Sequence, residues 1–302
     1  MAIAGVGGLL VATRPALSPA GAFARLAARP SARPAAVARG LLGGHQLDPS
    51  YFEPGACMLF RPTSGSRHLT VFLDAGHGGV DPGAVGTTES GRTIFEADET
   101  LPIELDTMAL LRARGFTVAV SRTRASTVAR PRPGDVRDGI FTVKGSHRDV
   151  IARDLCANLA KANVLIGIYL DAGPSPLNAG CLTAYDAARA FAAKNLRLAR
   201  LVQHDVLGSM NSHGWGIPNV GVVNDTTLGG PPLSAAAAAY QHLVLLGPPE
   251  AGYVPHPSEM PGVITEPLFI TDPFEATIAA SNVGQEAVAQ GLTQAVEQYF
   301  GS

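Results

Sequence analysis

The sequence predicts a single α/β domain of three layers, with a mostly parallel central sheet flanked by helices. Three observations carry this. From residue 69 onward, short β-rich runs alternate with segments of helical periodicity. One run, Val164 to Leu170, is apolar almost throughout, as a strand covered on both faces should be. And 46% of the 302 residues are hydrophobic, enough for one sizeable core.

The elements follow in order. Leu69 to Leu73 is a β-rich run that ends in a glycine-rich turn. Glu96 to Arg114 reads as a helix, with Leu101, Leu105, Met108 and Leu111 on one face and Gly115 as its stop. Phe116 to Val120 is the next strand. His147 to Lys161 is helical, and Ser146 with Asp149 resembles a capping box. Cys181 to Tyr185, Leu243 to Leu246 and Val263 to Ile270 read as further strands, and Ala187 to Met210 as a long helix. Asp272, Pro273 and Glu275 supply an N-cap, an N1 proline and an N3 glutamate. A final helix is expected over Gly284 to Phe300. Arg124 to Arg137 reads as an exposed loop, and 213–233 as a long loop in which Trp215 either stacks on a sugar or pins the loop to the core.

The chain divides into 1–50, a disordered or signal-like segment, 51–68, a linker, and 69–302, the folded domain. The first 47 residues hold five arginines and no acidic residue. Such a stretch cannot bury enough apolar surface to order itself. Ile3 to Ala12 resembles the apolar core of an export signal and Ala22 to Ala24 a cleavage site, although no basic residue precedes Arg14. The expectation is export to the cell envelope or periplasm; without a signal there, the chain stays cytoplasmic. Net charge is −2, so there is no basic field for a nucleic-acid partner. No apolar run reaches the ~18 residues that span a bilayer. The three cysteines, Cys57, Cys156 and Cys181, form no paired thiolate motif. They read as small buried thiols, with one disulfide as the alternative.

The most informative segment runs from Leu73 to Ala84. It places His77 just past a strand end, among Gly76, Gly78, Gly79 and Gly83, with Asp81 and Pro82 as turn residues. Ligands in α/β sheets bind at strand carboxyl ends. Glycines let the backbone turn sharply and let a metal or substrate approach.

This run resembles the opening motif of the amidase-3 family of peptidoglycan amidases. Five further segments resemble that family in order. They are Glu96 to Leu101, Arg112 to Arg122, Arg153 to Ala162 with its Asn158, Ile166 to Ala172, and Val263 to Phe269. The resemblance as a whole spans about residues 69 to 300. The resemblance implies a phosphorylase/hydrolase-like fold and hydrolysis of the amide between N-acetylmuramic acid and L-alanine in peptidoglycan. It implies zinc (Zn2+) as cofactor, His77 and Glu96 as metal ligands, and Glu266 as the proton-transferring catalytic residue. A protein regulator is not legible.

The family's third ligand is a histidine, and the matching position here is Tyr169. Tyr169 could itself ligate, since ionising a phenol at neutral pH costs on the order of 4 kcal/mol and zinc shifts bound water by more. Asp171, two residues along, and His242 are the alternatives, followed by His147, His213 and His256. If none serves, the resemblance implies a protein that binds wall fragments or regulates wall synthesis without cleaving.

Overall fold

The computed structural model describes residues 12–13, 43–228 and 234–301. The signal-like segment lies almost wholly outside the described residues. The main sheet has eight strands, numbered along the chain: β1 (His45–Gln46), β2 (Ala56–Phe60), β3 (Thr70–Ala75), β4 (Thr117–Arg122), β5 (Val164–Ile168), β6 (Cys181–Tyr185), β7 (Asn219–Asn224) and β8 (Gly262–Glu266). Their spatial order is β7-β6-β8-β5-β3-β4-β2-β1. The centre, β8-β5-β3-β4, is parallel, as is β6 with β7. Strand β6 runs antiparallel to β8, and β2 antiparallel to β4.

Among the described residues there are six helices: α1 (Glu96–Ala113), α2 (Val143–Leu159), α3 (Ala192–Asn211), α4 (Ala235–Tyr240), α5 (Pro273–Ala279) and α6 (Asn282–Phe300). Helices α1, α2 and α3 pack on the sheet, and α6 packs on α1 and α3. The two-residue period of a strand divides the core. Val71 and Leu73 of β3, with Ile166 and Ile168 of β5, join the cluster formed with α1, α3 and α6. Phe72 and Leu165, their neighbours in sequence, join Ala152, Cys156 and Ala157 of α2 on the other face. The result is the three-layer α/β domain.

Several local expectations shift. Helix α2 starts four residues early, because Thr142 rather than Ser146 caps it, its hydroxyl accepting from the Gly145 N–H at 3.2 Å. Leu243 to Leu246 is a turn, its carbonyl–amide bonds closing locally from Leu243 to Leu246 and Gly247. Its leucines fill the α2-side core without joining a ladder. The loop 213–233 contains edge strand β7. In 124–137, Val128 and Ala129 are buried, their amides bound by Asp149 Oδ1. Trp215 pins its segment to the core, buried and stacked on His213 at 4.5 Å. The N-cap of α5 is as expected: Asp272 Oδ1 accepts from the Glu275 N–H at 2.8 Å.

The segment 51–68 is not a linker. It carries β2, which pairs with β4 and extends the sheet. Cys57 of β2 forms a disulfide with Cys156 of α2, so the reading of all three cysteines as thiols is corrected. Cys181 is the buried free thiol.

Candidate active site

The site gathers at the carboxyl ends of β3, β5 and β8. Strand β3 delivers the chain into the loop at His77, which adopts φ +59°, a left-handed conformation uncommon outside glycine. The antiparallel pair Val85–Thr87 and Thr93–Phe95 then returns the chain, so that Glu96, the first residue of α1, comes back over the loop. A carboxylate in the first turn of a helix also sits favourably on its dipole.

His77 Nε2 lies 3.1 Å from Glu96 Oε2, and His77 Nδ1 lies 2.9 Å from Asp81 Oδ2. Glu96 is fixed at both oxygens: Oε2 accepts from the Ala84 N–H and Oε1 from the Leu170 N–H, each at 2.9 Å. Gly83 is required here. A Cβ at that position would stand 2.7 Å from both Glu96 Oε2 and His77 Cδ2. Burial alone would lower the His77 pKa, but Glu96 and Asp81 outweigh it and push it up to about 10. The buried Glu96 and the half-buried Asp81 thus favour a cation at the imidazole.

Glu266 ends β8, and Asp171 lies just past β5, held by its N–H to Leu268 O at 3.0 Å. The Glu266 and Asp171 carboxyls lie close enough for each to shift the other's pKa. Burial, then Asp171 and Glu96, push the Glu266 carboxyl well above the usual range, and Glu266 Oε2 takes no hydrogen bond. Burial, aided by Glu96, pushes Asp171 up to about 7. The pair is therefore a proton-holding carboxyl dyad beside Glu96.

Tyr169 points elsewhere. Its hydroxyl donates to Asp74 Oδ2 at 3.1 Å, and its ring packs with the α2-side core. The ring covers Gly76, where a Cβ would stand 2.5 Å from it, and meets His77 edge-on at 5.5 Å. Burial and Asp74 push the phenol pKa well up. Asp74 Oδ1 is ion-paired to Arg153 of α2, whose guanidinium also donates to Ala75 O and His77 O, each at 2.8 Å, and pairs with Asp149 Oδ2 at 3.1 Å. Arg153 thereby clamps the loop that presents His77.

His242 is not part of this constellation. It sits with Asp186 and Asp225. Asp186 follows β6, whose reversed direction puts Ala184 opposite Ile264, toward the amino end of β8. His147 stacks on Tyr253 at 4.3 Å and His213 on Trp215. The sequence reading named His77, Glu96, Glu266 and Asp171, which come together. It took Asp81 for turn chemistry and gave Arg153 no role. The four-residue spacing from His77 to Asp81, and an arginine on the apolar face of α2, were the available signals.

The donor atoms of His77 and Glu96 stand at a spacing that suits one shared zinc ion. Two ligands on one ion, each about 2.0–2.2 Å from it, stand roughly 3 Å apart, and His77 Nε2 with Glu96 Oε2 fits. Asp81 on the far nitrogen is the orienting contact a ligating imidazole needs. Among the described residues, no third histidine, cysteine or carboxylate atom lies within 4.8 Å of both.

The profile of the amidase-3 family, N-acetylmuramoyl-L-alanine amidases, matches residues 71–298. The chain belongs to this family. It is 25% identical over 239 residues to the germination-specific N-acetylmuramoyl-L-alanine amidase of Bacillus subtilis, covering 79% of this chain and 81% of that protein. It is 26% identical over 246 residues to the amidase AmiC of Neisseria meningitidis, covering 78% of this chain and 53% of that one. Among solved structures, an N-acetylmuramoyl-L-alanine amidase from Clostridium difficile 630 matches with TM-score 0.53 at 24% identity, over 79% of this chain and 99% of that one. The CwlD amidase from Clostridioides difficile, solved in complex with the GerS lipoprotein, matches with TM-score 0.57 at 20% identity, over 77% of this chain and 98% of that one. These structures share the fold.

Proposed function

We propose that this chain hydrolyses the amide between N-acetylmuramic acid and L-alanine in peptidoglycan, with zinc held by His77 and Glu96. The carrying observation is the 3.1 Å approach of His77 Nε2 to Glu96 Oε2, with Asp81 behind the ring. Asp171, which lies near enough to Glu96 to feel its charge, is the candidate for the third position that would have to move least. Tyr169 is committed to Asp74, and His242 lies toward the other end of β8. A zinc ion held there would supply Lewis acidity toward the scissile carbonyl and would make a water more acidic.

The chain's own residues do the rest. Asp81 and Glu96 hold the imidazole in one orientation, and Arg153 holds the loop backbone at His77 O. Glu266, whose ionised form a cation held beside the dyad would favour, would then accept the proton of the attacking water through Oε2. As the carbon–nitrogen bond breaks, it returns that proton to the departing alanine nitrogen. Export accords with the Cys57–Cys156 disulfide, since such bonds persist in oxidising compartments.

The test is incubation with purified peptidoglycan, with mass analysis of the products. The expected products are a free lactyl carboxyl on muramic acid and peptides beginning with alanine. Glu266→Gln should lower turnover by about 10²–10⁴-fold. Cleavage within the stem peptide, or none with zinc present, overturns the proposal.

The Tyr169–Asp74 bond favours a second reading, a family member that binds muropeptides without cleaving them. It expects no turnover by the native chain, and a gain in zinc affinity and activity on Tyr169→His.

A further inference from the structure

Asp186, Asp225 and His242 lie at the opposite end of the sheet from Glu266. Strands β6 and β7 run parallel, and Asp186 and Asp225 follow their ends. Leu182 stands opposite Glu266 and Ala184 opposite Ile264. Asp186 is therefore about four residues, or ~13 Å, from Glu266 along the strand direction. His242 follows Gln241, whose φ of +59° ends α4 and turns the imidazole toward the two aspartates.

Each of the three offers a ligand atom within 4.8 Å of the others. His242 Nδ1 stands 2.7 Å from Asp186 Oδ2 and 3.3 Å from Asp225 Oδ2. Three donors about 2.1 Å from one ion stand roughly 3.0–3.5 Å apart, a spacing the Asp225 contact at 3.3 Å meets and the Asp186 contact at 2.7 Å would meet by opening slightly. Backbone contacts orient both carboxylates. Asp186 Oδ1 accepts from the Ala188 and Arg189 N–H groups at 2.6 and 3.0 Å, and Asp225 Oδ2 from the Leu243 N–H at 3.0 Å.

A second observation points to a ligand. Asp186 is 0% exposed and Asp225 1%, yet Asp186 Oδ2 and Asp225 Oδ1 take no hydrogen bond. His242 Nδ1 has at most one N–H to share between Asp225 Oδ2 at 3.3 Å and Asp186 Oδ2 at 2.7 Å. At least one buried carboxyl oxygen of the cluster therefore lacks a hydrogen bond. Leaving such an atom unmet is costly. The neighbouring Arg189 spends its guanidinium on the carbonyls of Leu246, Gly247 and Ser258.

We propose that Asp186, Asp225 and His242 form a second divalent-metal site, of the zinc or manganese class given its mixed oxygen and nitrogen donors. The ion ties the ends of β6 and β7 to the segment that follows α4. It takes no part in the chemistry at His77.

The test uses the full chain carrying His77→Ala, which disables the first site. After chelation and dialysis against zinc, this variant should keep about one zinc per chain, and zinc should raise its melting temperature. Adding Asp225→Asn, or His242→Gln, should abolish both effects. Zinc-edge anomalous scattering from zinc-soaked crystals of the His77→Ala chain should give a peak among the three side chains, and this holds even if a double variant does not fold. No zinc on His77→Ala, zinc retained by a folded Asp225→Asn double variant, or no peak there overturns the proposal. Zinc on the native chain but not on His77→Ala would sink this site and leave the proposed activity intact. Zinc on His77→Ala with a native chain inert toward peptidoglycan would do the reverse.

Discussion

The Tyr169 hydroxyl donates to Asp74 Oδ2 at 3.1 Å, while the other oxygen of Asp74 is ion-paired to Arg153. Tyr169 is thus part of the scaffold under the His77 loop. Tyr169→Phe should leave a buried carboxylate oxygen short of a partner and cost about 1–3 kcal/mol. The zinc binding proposed for His77 and Glu96 should not change. Urea unfolding together with metal analysis checks both halves, and loss of zinc from the folded variant would give the phenol a direct role at the metal.

Arg153 is buried and neutralises Asp74 and Asp149 at once. Arg153→Met should cost on the order of 3–5 kcal/mol, because it strands buried carboxylates. Adding Asp74→Asn should recover part of that loss. Equilibrium unfolding of the two singles and the double gives the coupling, and strict additivity would contradict the clamp.

Glu104 is buried on α1, with Oε1 accepting from the Ala75 N–H, the Ser121 N–H and the Ser121 hydroxyl, each at 3.0 Å. Burial, partly offset by Arg122, pushes its pKa from the ordinary 4.5 up to about 8. The folded chain then keeps a proton that the unfolded chain has released. Stability should fall as pH rises from about 4.5 to about 8, by roughly 1.4 kcal/mol per pH unit from this group, and level off above. Glu104→Gln should remove that slope. Unfolding free energies at a series of pH values decide it.

The Cys57–Cys156 bond closes a span of 99 residues. Loop-closure arguments give such a link roughly 4–5 kcal/mol. Cys57→Ser with Cys156→Ser should lower the melting temperature by on the order of 10 °C. Calorimetry under non-reducing conditions reads this directly.

What the sequence made legible was local. Glycines around His77 and the helix opening at Glu96 are short-range signals, and both led to the site. The apolar run of β5 announced a strand buried on both faces. What stayed hidden depends on partners far along the chain. Strand β2 is recognisable only once β4 lies beside it, and a disulfide spanning 99 residues leaves no spacing signal among three cysteines. Leu243 to Leu246 misled because burial alone, without ladder bonds, produces the same apolar run. His242 drew attention as a spare ligand, but the reversal of β6 decides which end of the sheet it serves. For Tyr169 the deciding partner, Asp74, is 95 residues away.

The pairing of β2 with β4 has a practical side. The family profile begins at residue 71, whereas the sheet reaches back to His45. A fragment trimmed to the profile would bare the outer rim of β4, with its open row of amides and carbonyls, and would leave Cys156 a lone thiol. Such a rim invites other chains to add to it. Anyone trimming this protein for expression should cut ahead of residue 43, or expect clumping that says nothing about the catalytic end.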